Sequence, residues 1–313
     1  MTSAAHDYDN LAPPRIEEVS AGVFAYIQPD GGWCLNNTGF LVGSDSVVSV
    51  DASSTERRTR AYLEAIASVT AAPVRTLINT HSHLDHTNGN CFFGPTTIIA
   101  HHDCRTEMLN MPPMPPGVGP FPGVDWGNIE KAPPTLTFSD SVTMFVDDLR
   151  MEVRYVGTPA HTTNDVTVWI PERSVLFAGD LIFNGGTPFN VAGSISGALK
   201  VLDDIRALNP SVIVPGHGDV CDVGVIDGLV AYLNFVTETA KSAKAAGLSP
   251  LDAALQTDLG EFADLLDPER IVGNLHRAYA ELDGAAPGAP IGILAAMQEM
   301  VQYNGGQPLR CLA

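Results

Sequence analysis

The chain has 313 residues, 45% of them hydrophobic, enough for a large core in one big domain or in one domain with an appendage. Its 36 acidic and 17 basic side chains leave a formal charge of -19 with no Lys/Arg cluster, which argues against a nucleic-acid partner. No apolar run approaches membrane-spanning length, and residues 1–7 lack the features of a secretion signal, so a cytoplasmic protein without a membrane partner is expected.

Residues 1–15 read as a loose arm ending in Pro13-Pro14. Strands are predicted over 23–27, 38–42 and 47–50, the first followed by a Pro29-Asp30-Gly31-Gly32 turn and the last closing on Asp51. Residues 55–67 form the first helical pattern, with Ala61, Ala65 and Ile66 on its apolar side. A buried strand over 74–78 follows, then one over 97–100. Eight prolines interrupt residues 112–134, which reads as a long lid, binding loop or linker. Strands resume over 136–138, 142–146, 151–156, 166–170 and 175–178, then a helix over 196–208 and a last strand over 212–214. From Gly224 onward the pattern is helical, with Asp267-Pro268-Glu269 reading as a helix start. Strands with interspersed helices, twice over, fit two packed sheets with helices outside and a helical C-terminal extension.

The chemistry concentrates in Thr80-His81-Ser82-His83-Leu84-Asp85-His86, directly after the strand over 74–78. Three imidazoles and a carboxylate in six residues repel when the imidazoles are protonated and become favourable around a shared cation. A solvated His-rich loop is the bland alternative. Three further candidates each follow a predicted strand: His161 in Pro159-Ala160-His161-Thr162, Asp180 in Ala178-Gly179-Asp180, and His217 in Pro215-Gly216-His217-Gly218. Each alone is as readily a structural histidine or a turn cap; together they make seven nitrogen and oxygen ligands, the number two cations need. The five cysteines (Cys34, Cys91, Cys104, Cys221 and Cys311) are scattered without a Cys-x-x-Cys pair, so neither a disulfide framework nor a thiolate zinc site is expected, and Cys221 reads as structural.

In order and spacing these motifs resemble the metallo-β-lactamase superfamily of binuclear metallohydrolases, over about residues 19–220. The resemblance implies an α/β fold, a four-layer αβ/βα sandwich, with a catalytic domain over 16–223 and a C-terminal helical extension over 224–313. It implies that His81, His83 and His161 hold one metal, that Asp85, His86 and His217 hold a second, and that Asp180 bridges them. Asp at 180, where several β-lactamases carry Cys, looks more like the glyoxalase II, lactonase and general hydrolase branches. Two divalent ions about 3.5–4 Å apart would share a water, lower its pKa and direct the hydroxide at the carbonyl of an ester, thioester, lactone or amide. Asp85 is the candidate that orients this nucleophile and shuttles its proton. Asp51 and Thr162 are candidates to accept the outer N–H groups of the imidazoles, with turn capping the competing role. Zinc suits the ligand set best, with iron and manganese open.

A small, partly apolar substrate is expected. Met114, Phe121 and Trp126 in the Pro-rich segment, Trp33 beside the Gly31-Gly32 turn, and Phe189 after Asp180 are its candidate contacts; anchoring of the loop to the core explains the first three equally well. In the C-terminal helices Met297, Met300 and Val301 read as core, and Lys241, Lys244, Arg270 and Arg277 as solvated faces unless they bind a carrier. A homo-oligomer stays open. Competing readings are an iron-dependent sulfur dioxygenase or other redox member of the same fold, and a non-catalytic metal-binding protein.

Overall fold

Alternation along the strands decides which face each sheet buries. A computed structural model describes residues 11–111 and 119–313. The first half of the chain runs β1 (Arg15–Ser20), β2 (Val23–Ile27), β3 (Thr38–Val42), β4 (Val47–Val50), α1 (Glu56–Val69), β5 (Val74–Ile78), α2 (Leu84–Thr87), β6 (Thr97–His101), α3 (His102–Asn110) and β7 (Leu136–Phe138). These seven strands form one sheet in chain order, antiparallel from β1 to β4 and parallel from β4 to β7. Parallel neighbours need a crossover, and α1 supplies the one between β4 and β5. The second half runs β8 (Ser141–Val146), β9 (Leu149–Tyr155), β10 (Val166–Ile170), β11 (Val175–Phe183), α4 (Ile195–Leu208), β12 (Val212–His217), α5 (Val225–Ala245), α6 (Pro250–Gln256), α7 (Arg270–Leu282) and α8 (Ile293–Tyr303). Its sheet has the order β12-β11-β10-β9-β8, with only β11 and β12 parallel.

The two sheets face each other. Val23, Ala25 and Ile27 of β2 and Leu41 of β3 pack against Val153, Val166, Val168 and Phe177 of the opposite sheet. The intervening positions point outward: Tyr26 and Phe40 join Tyr62 and Ile66 of α1, and Leu176 and Ile213 join Val201, Leu202, Ile271 and Leu275 of α4 and α7. Period-two burial on both faces of each sheet is what a helix–sheet–sheet–helix stack requires. The α/β sandwich and the helical C-terminal region are therefore present as expected. No helix among the described residues is long and apolar enough to cross a membrane.

Several local expectations are corrected. Arg15–Ser20, for which the sequence predicts no strand, form the edge strand β1 directly after the arm. The helix α3 was not predicted at all. β11 runs on to Phe183, so Asp180 lies within the strand rather than ending it. Ala61 is exposed; α1 buries Thr59, Tyr62 and Ile66 instead, and Thr55 caps it by accepting the Arg58 N–H. α7 starts at Arg270, because Asp267 has φ 56° and bonds the Arg270 guanidinium rather than capping the helix. Met114 lies outside the described residues.

Ile66→Ala removes buried methyl groups between α1 and the first sheet. Chemical denaturation is expected to show a loss of about 2–5 kcal/mol; a loss below about 0.5 kcal/mol would mean that α1 is not packed as described.

Candidate metal centre

Four chain segments meet at one rim of the sandwich, where β4, β5, β11 and β12 end or bend. His81, His83, Asp85 and His86 occupy the turn after β5 and the short helix α2. His161 sits between β9 and β10, Asp180 within β11, and His217 at the end of β12. Backbone packing at this rim is close enough to demand glycine: a Cβ on Gly216 would lie 1.9 Å from Asp180 Oδ1.

The seven predicted ligands converge in two sets. His81, His83, His161 and Asp180 form one and Asp85, His86 and His217 the other, with the donor atoms of each set all within 4.8 Å of one another. Asp180 lies between the sets. Its carboxylate is 3.0 Å from His86 Nε2, 3.3 Å from His161 Nε2, 3.4 Å from His217 Nε2 and 3.9 Å from His81 Nε2.

The outer ring nitrogens decide the tautomers. His86 Nδ1–H donates to Asp51 Oδ2 at 2.8 Å, and His217 Nδ1–H donates to the Gly31 carbonyl at 3.1 Å. His161 Nδ1–H donates to the Phe189 carbonyl. Thr80 spends its hydroxyl proton on Asp51 at 2.7 Å, so its oxygen accepts from His81 Nδ1–H at 3.1 Å. Each of these four imidazoles then turns its Nε2 inward. His81 Nε2, His86 Nε2 and Asp180 Oδ1 are buried without a hydrogen-bond partner. His83 Nδ1 and His161 Nε2 share a hydrogen bond at 2.8 Å. Buried polar atoms left without a partner, as at His81, His86 and Asp180, are unfavourable unless something compensates them.

The protonation tendencies agree. Burial lowers the pKa values of His81 and His83, and that of His161 to about 3, leaving three neutral imidazoles. Burial acts the same way on His86 and His217, but carboxylates outweigh it. Asp180, Asp51 and Asp85 push His86 well above its usual value, and Asp180 and Asp85 raise His217 to about 9. Burial would raise Asp85 and Asp180, yet the imidazoles hold Asp85 at about 2 and Asp180 well below the usual carboxylate range. One half of the cluster offers free lone pairs and the other demands positive charge. Two divalent cations fit both halves, since metal ions bind neutral imidazole and ionised carboxylate and displace protons.

Of the two predicted supports, Asp51 makes the expected contact. Its left-handed backbone, φ 61°, turns it out of β4, and it accepts from His86, the Thr80 hydroxyl and the Thr80 N–H. Thr162 does not: its hydroxyl and N–H both donate to Asp165. Glu107 of α3, unremarked in the sequence, accepts from Ser82 Oγ, Thr163 Oγ1 at 2.6 Å and Asn164 Nδ2 at 2.9 Å, tying the turn that carries His83 to the loop that carries His161.

A cavity of about 220 Å³ opens over the cluster. Trp33, Phe121 and Phe189 line it, as do Met297 and Arg270, which were expected to be core and a solvated face. Trp126 does not line it; that residue packs at the margin of the core, and its carbonyl accepts the Glu56 N–H. Arg277 is also buried, donating to the Val191 and Ala289 carbonyls, whereas Lys241 and Lys244 form surface pairs with Glu238 and Asp283.

The family model of the metallo-beta-lactamase superfamily matches residues 31–217. Among curated proteins, the type 2 metallo-beta-lactamase of Bacteroides fragilis is 31% identical over 112 residues, 33% of this chain and 44% of that one. The alpha subunit of 2,4-dinitroanisole O-demethylase from Nocardioides sp. is 27% identical over 56% of this chain and 51% of its own. The hydroxyacylglutathione hydrolase of Rhodospirillum rubrum is 30% identical over 44% of this chain and 45% of its own. The chain thus spans about half the length of these curated relatives. Among solved structures, a metallo-beta-lactamase from Pontibacter korlensis superposes with a TM-score of 0.58 at 18% identity, over 71% of this chain and 99% of that one, a likeness of fold.

Asp51→Ala removes the acceptor that orients His86. Equilibrium dialysis against zinc is expected to show an affinity lower by about 10–100-fold. Unaltered affinity would show that this carboxylate does not support the cluster.

Proposed function

The chain belongs to the metallo-beta-lactamase superfamily, and on that premise we propose that it is a metal-dependent hydrolase attacking a carbonyl of a small substrate. The observation that carries the reading is the inward convergence of four ring nitrogens on Asp180 beneath an open cavity. His81, His83, His161 and Asp180 would hold one cation, and Asp85, His86 and His217 the other, with Asp180 shared. Zinc is our choice for both. Bound there, the pair would supply Lewis acidity to a carbonyl and to an attacking water.

The chain's own groups then orient and move protons. Asp85 lines the cavity, with Oδ2 3.4 Å from His217 Nε2. The neighbouring imidazoles favour its ionised form, so it is free to accept a proton. We assign Oδ1 to receive the proton of the attacking water and return it to the leaving group. The Gly31 and Phe189 carbonyls and Asp51 keep the imidazoles from rotating as charge develops. Trp33, Phe121 and Phe189 exclude bulk water from the substrate side.

The names of the relatives support a water-driven cleavage without agreeing on a substrate: a beta-lactamase, an acylglutathione hydrolase and an O-demethylase. The bridging Asp180 favours the branch of the hydrolase over that of the type 2 lactamases. Zinc-loaded protein is therefore expected to hydrolyse at least one member of a panel of esters, thioesters, lactones and beta-lactams, and chelation to abolish the activity. Asp85→Asn is expected to keep the folded circular-dichroism spectrum and lose about 10²–10⁴-fold in kcat. Wild-type turnover in this variant would remove Asp85 from the proton path. A fully loaded protein inert towards the whole panel would overturn the hydrolase reading.

A further inference from the structure

We infer that the substrate presents a neutral aromatic ring to the cavity above the cluster, an inference that rests on the hydrolase reading and narrows it. Four aromatic side chains line this space: Trp33, Phe121, Phe183 and Phe189. They are locked against one another. The Trp33 ring lies 5.4 Å from Phe121 and 5.1 Å, nearly edge-on, from Phe189; the Phe183 ring stacks on His217 at 5.1 Å. A preassembled set of ring faces and edges favours an aromatic guest over a saturated one of the same volume.

Size narrows the guest further. A dry apolar cavity of about 150 Å³ holds one benzene. The 220 Å³ here includes the space over the carboxylates and imidazoles that bound cations would share, which leaves room for about one ring. It is smaller than the roughly 300 Å³ at which drug-sized ligands begin to fit.

Charge disfavours an anionic ring. Arg270 is the only Lys or Arg among the described lining residues; its two terminal nitrogens are engaged, and its Nε is buried without a hydrogen-bond partner. Nη2 donates to Asp267 Oδ2 at 2.8 Å and Nη1 to the Thr187 carbonyl at 2.9 Å. The group lies 4.2 Å over the Trp33 ring and 5.1 Å over that of Phe183. A carboxylate on the far side of the ring would find mostly apolar walls and a guanidinium whose two terminal nitrogens are already taken. The mouth is apolar too: Met111 and Ile293 line the cavity while 38% and 41% exposed. Apolar side chains left in water around an opening suit an uncharged guest passing in.

Three esters with alcohols of similar reactivity separate the possibilities on zinc-loaded protein: benzyl acetate, cyclohexylmethyl acetate and 4-(acetoxymethyl)benzoate. The first is expected to exceed the second in kcat/KM by about 2–12-fold, the worth of an aromatic pairing. It is expected to exceed the third by on the order of a hundredfold, the cost of an unpaired carboxylate in such a space. Binding of the matching acetamides, followed by ligand-observed NMR, is expected to keep the same order. Ile293→Trp, a change at the exposed rim, is expected to weaken N-benzylacetamide binding at unaltered zinc content. Equal rates for the ring and its saturated analogue would overturn the aromatic assignment. Preference for the benzoate would make Arg270 an anion receptor and overturn the neutral one. Retention of the binding order together with inertness towards these esters and the whole panel of thioesters, lactones and beta-lactams would instead sink the hydrolase reading and leave this inference standing.

Discussion

The structure depends on a set of buried acceptors that cannot tolerate one another without positive charge. Four imidazoles direct their Nε2 atoms at the Asp180 carboxylate, and Asp85 lies at the edge of the same cluster. Removing an ionised carboxylate from water costs several kcal/mol unless a partner compensates it. Protons meet the demand only on the His86 and His217 side, because burial keeps the other imidazoles neutral. Cations would answer both halves together, and the fold holds the acceptors in the positions that this would need.

That arrangement has two tiers. Strand ends of both sheets place the ligands, and backbone carbonyls and Asp51 fix how each ring is turned. The C-terminal region then secures the loop that supplies one of these carbonyls. Trp33 Nε1 donates to Glu269 at 2.7 Å, Arg310 pairs with Asp30 at 2.7 Å, and Cys311 Sγ meets the Trp33 carbonyl at 3.3 Å. The Gly31 carbonyl that orients His217 lies within this bolted segment. The C-terminal helices therefore wall the cavity through Arg270, Ile293 and Met297, and also stiffen the metal side of it.

Much of this was legible in the residues themselves. The His81–His86 turn stands out because metal chemistry needs several donors close together, and period-two apolar runs marked most of the strands. What escaped notice did so for physical reasons. β1 reads Arg-Ile-Glu-Glu-Val-Ser, an edge strand whose charges blunt its alternation. α3 opens with His-Asp and buries only Cys104 and Met108, too narrow a stripe to announce a helix. Arg270 and Arg277 follow the pattern of a solvated face, and only the acceptors folded around them make burial tolerable. The partners of His161 and His217 are carbonyl oxygens of Phe189 and Gly31, which no residue type advertises. Thr162, a natural guess from its place beside His161, is already committed to Asp165.

The most direct test of the central claim is cation stoichiometry by isothermal titration of chelator-stripped protein with zinc. The account expects saturation at about two ions per chain, the number that a divided ligand set with a shared carboxylate implies. Titration that shows no binding, or saturation at one ion per chain, would contradict it.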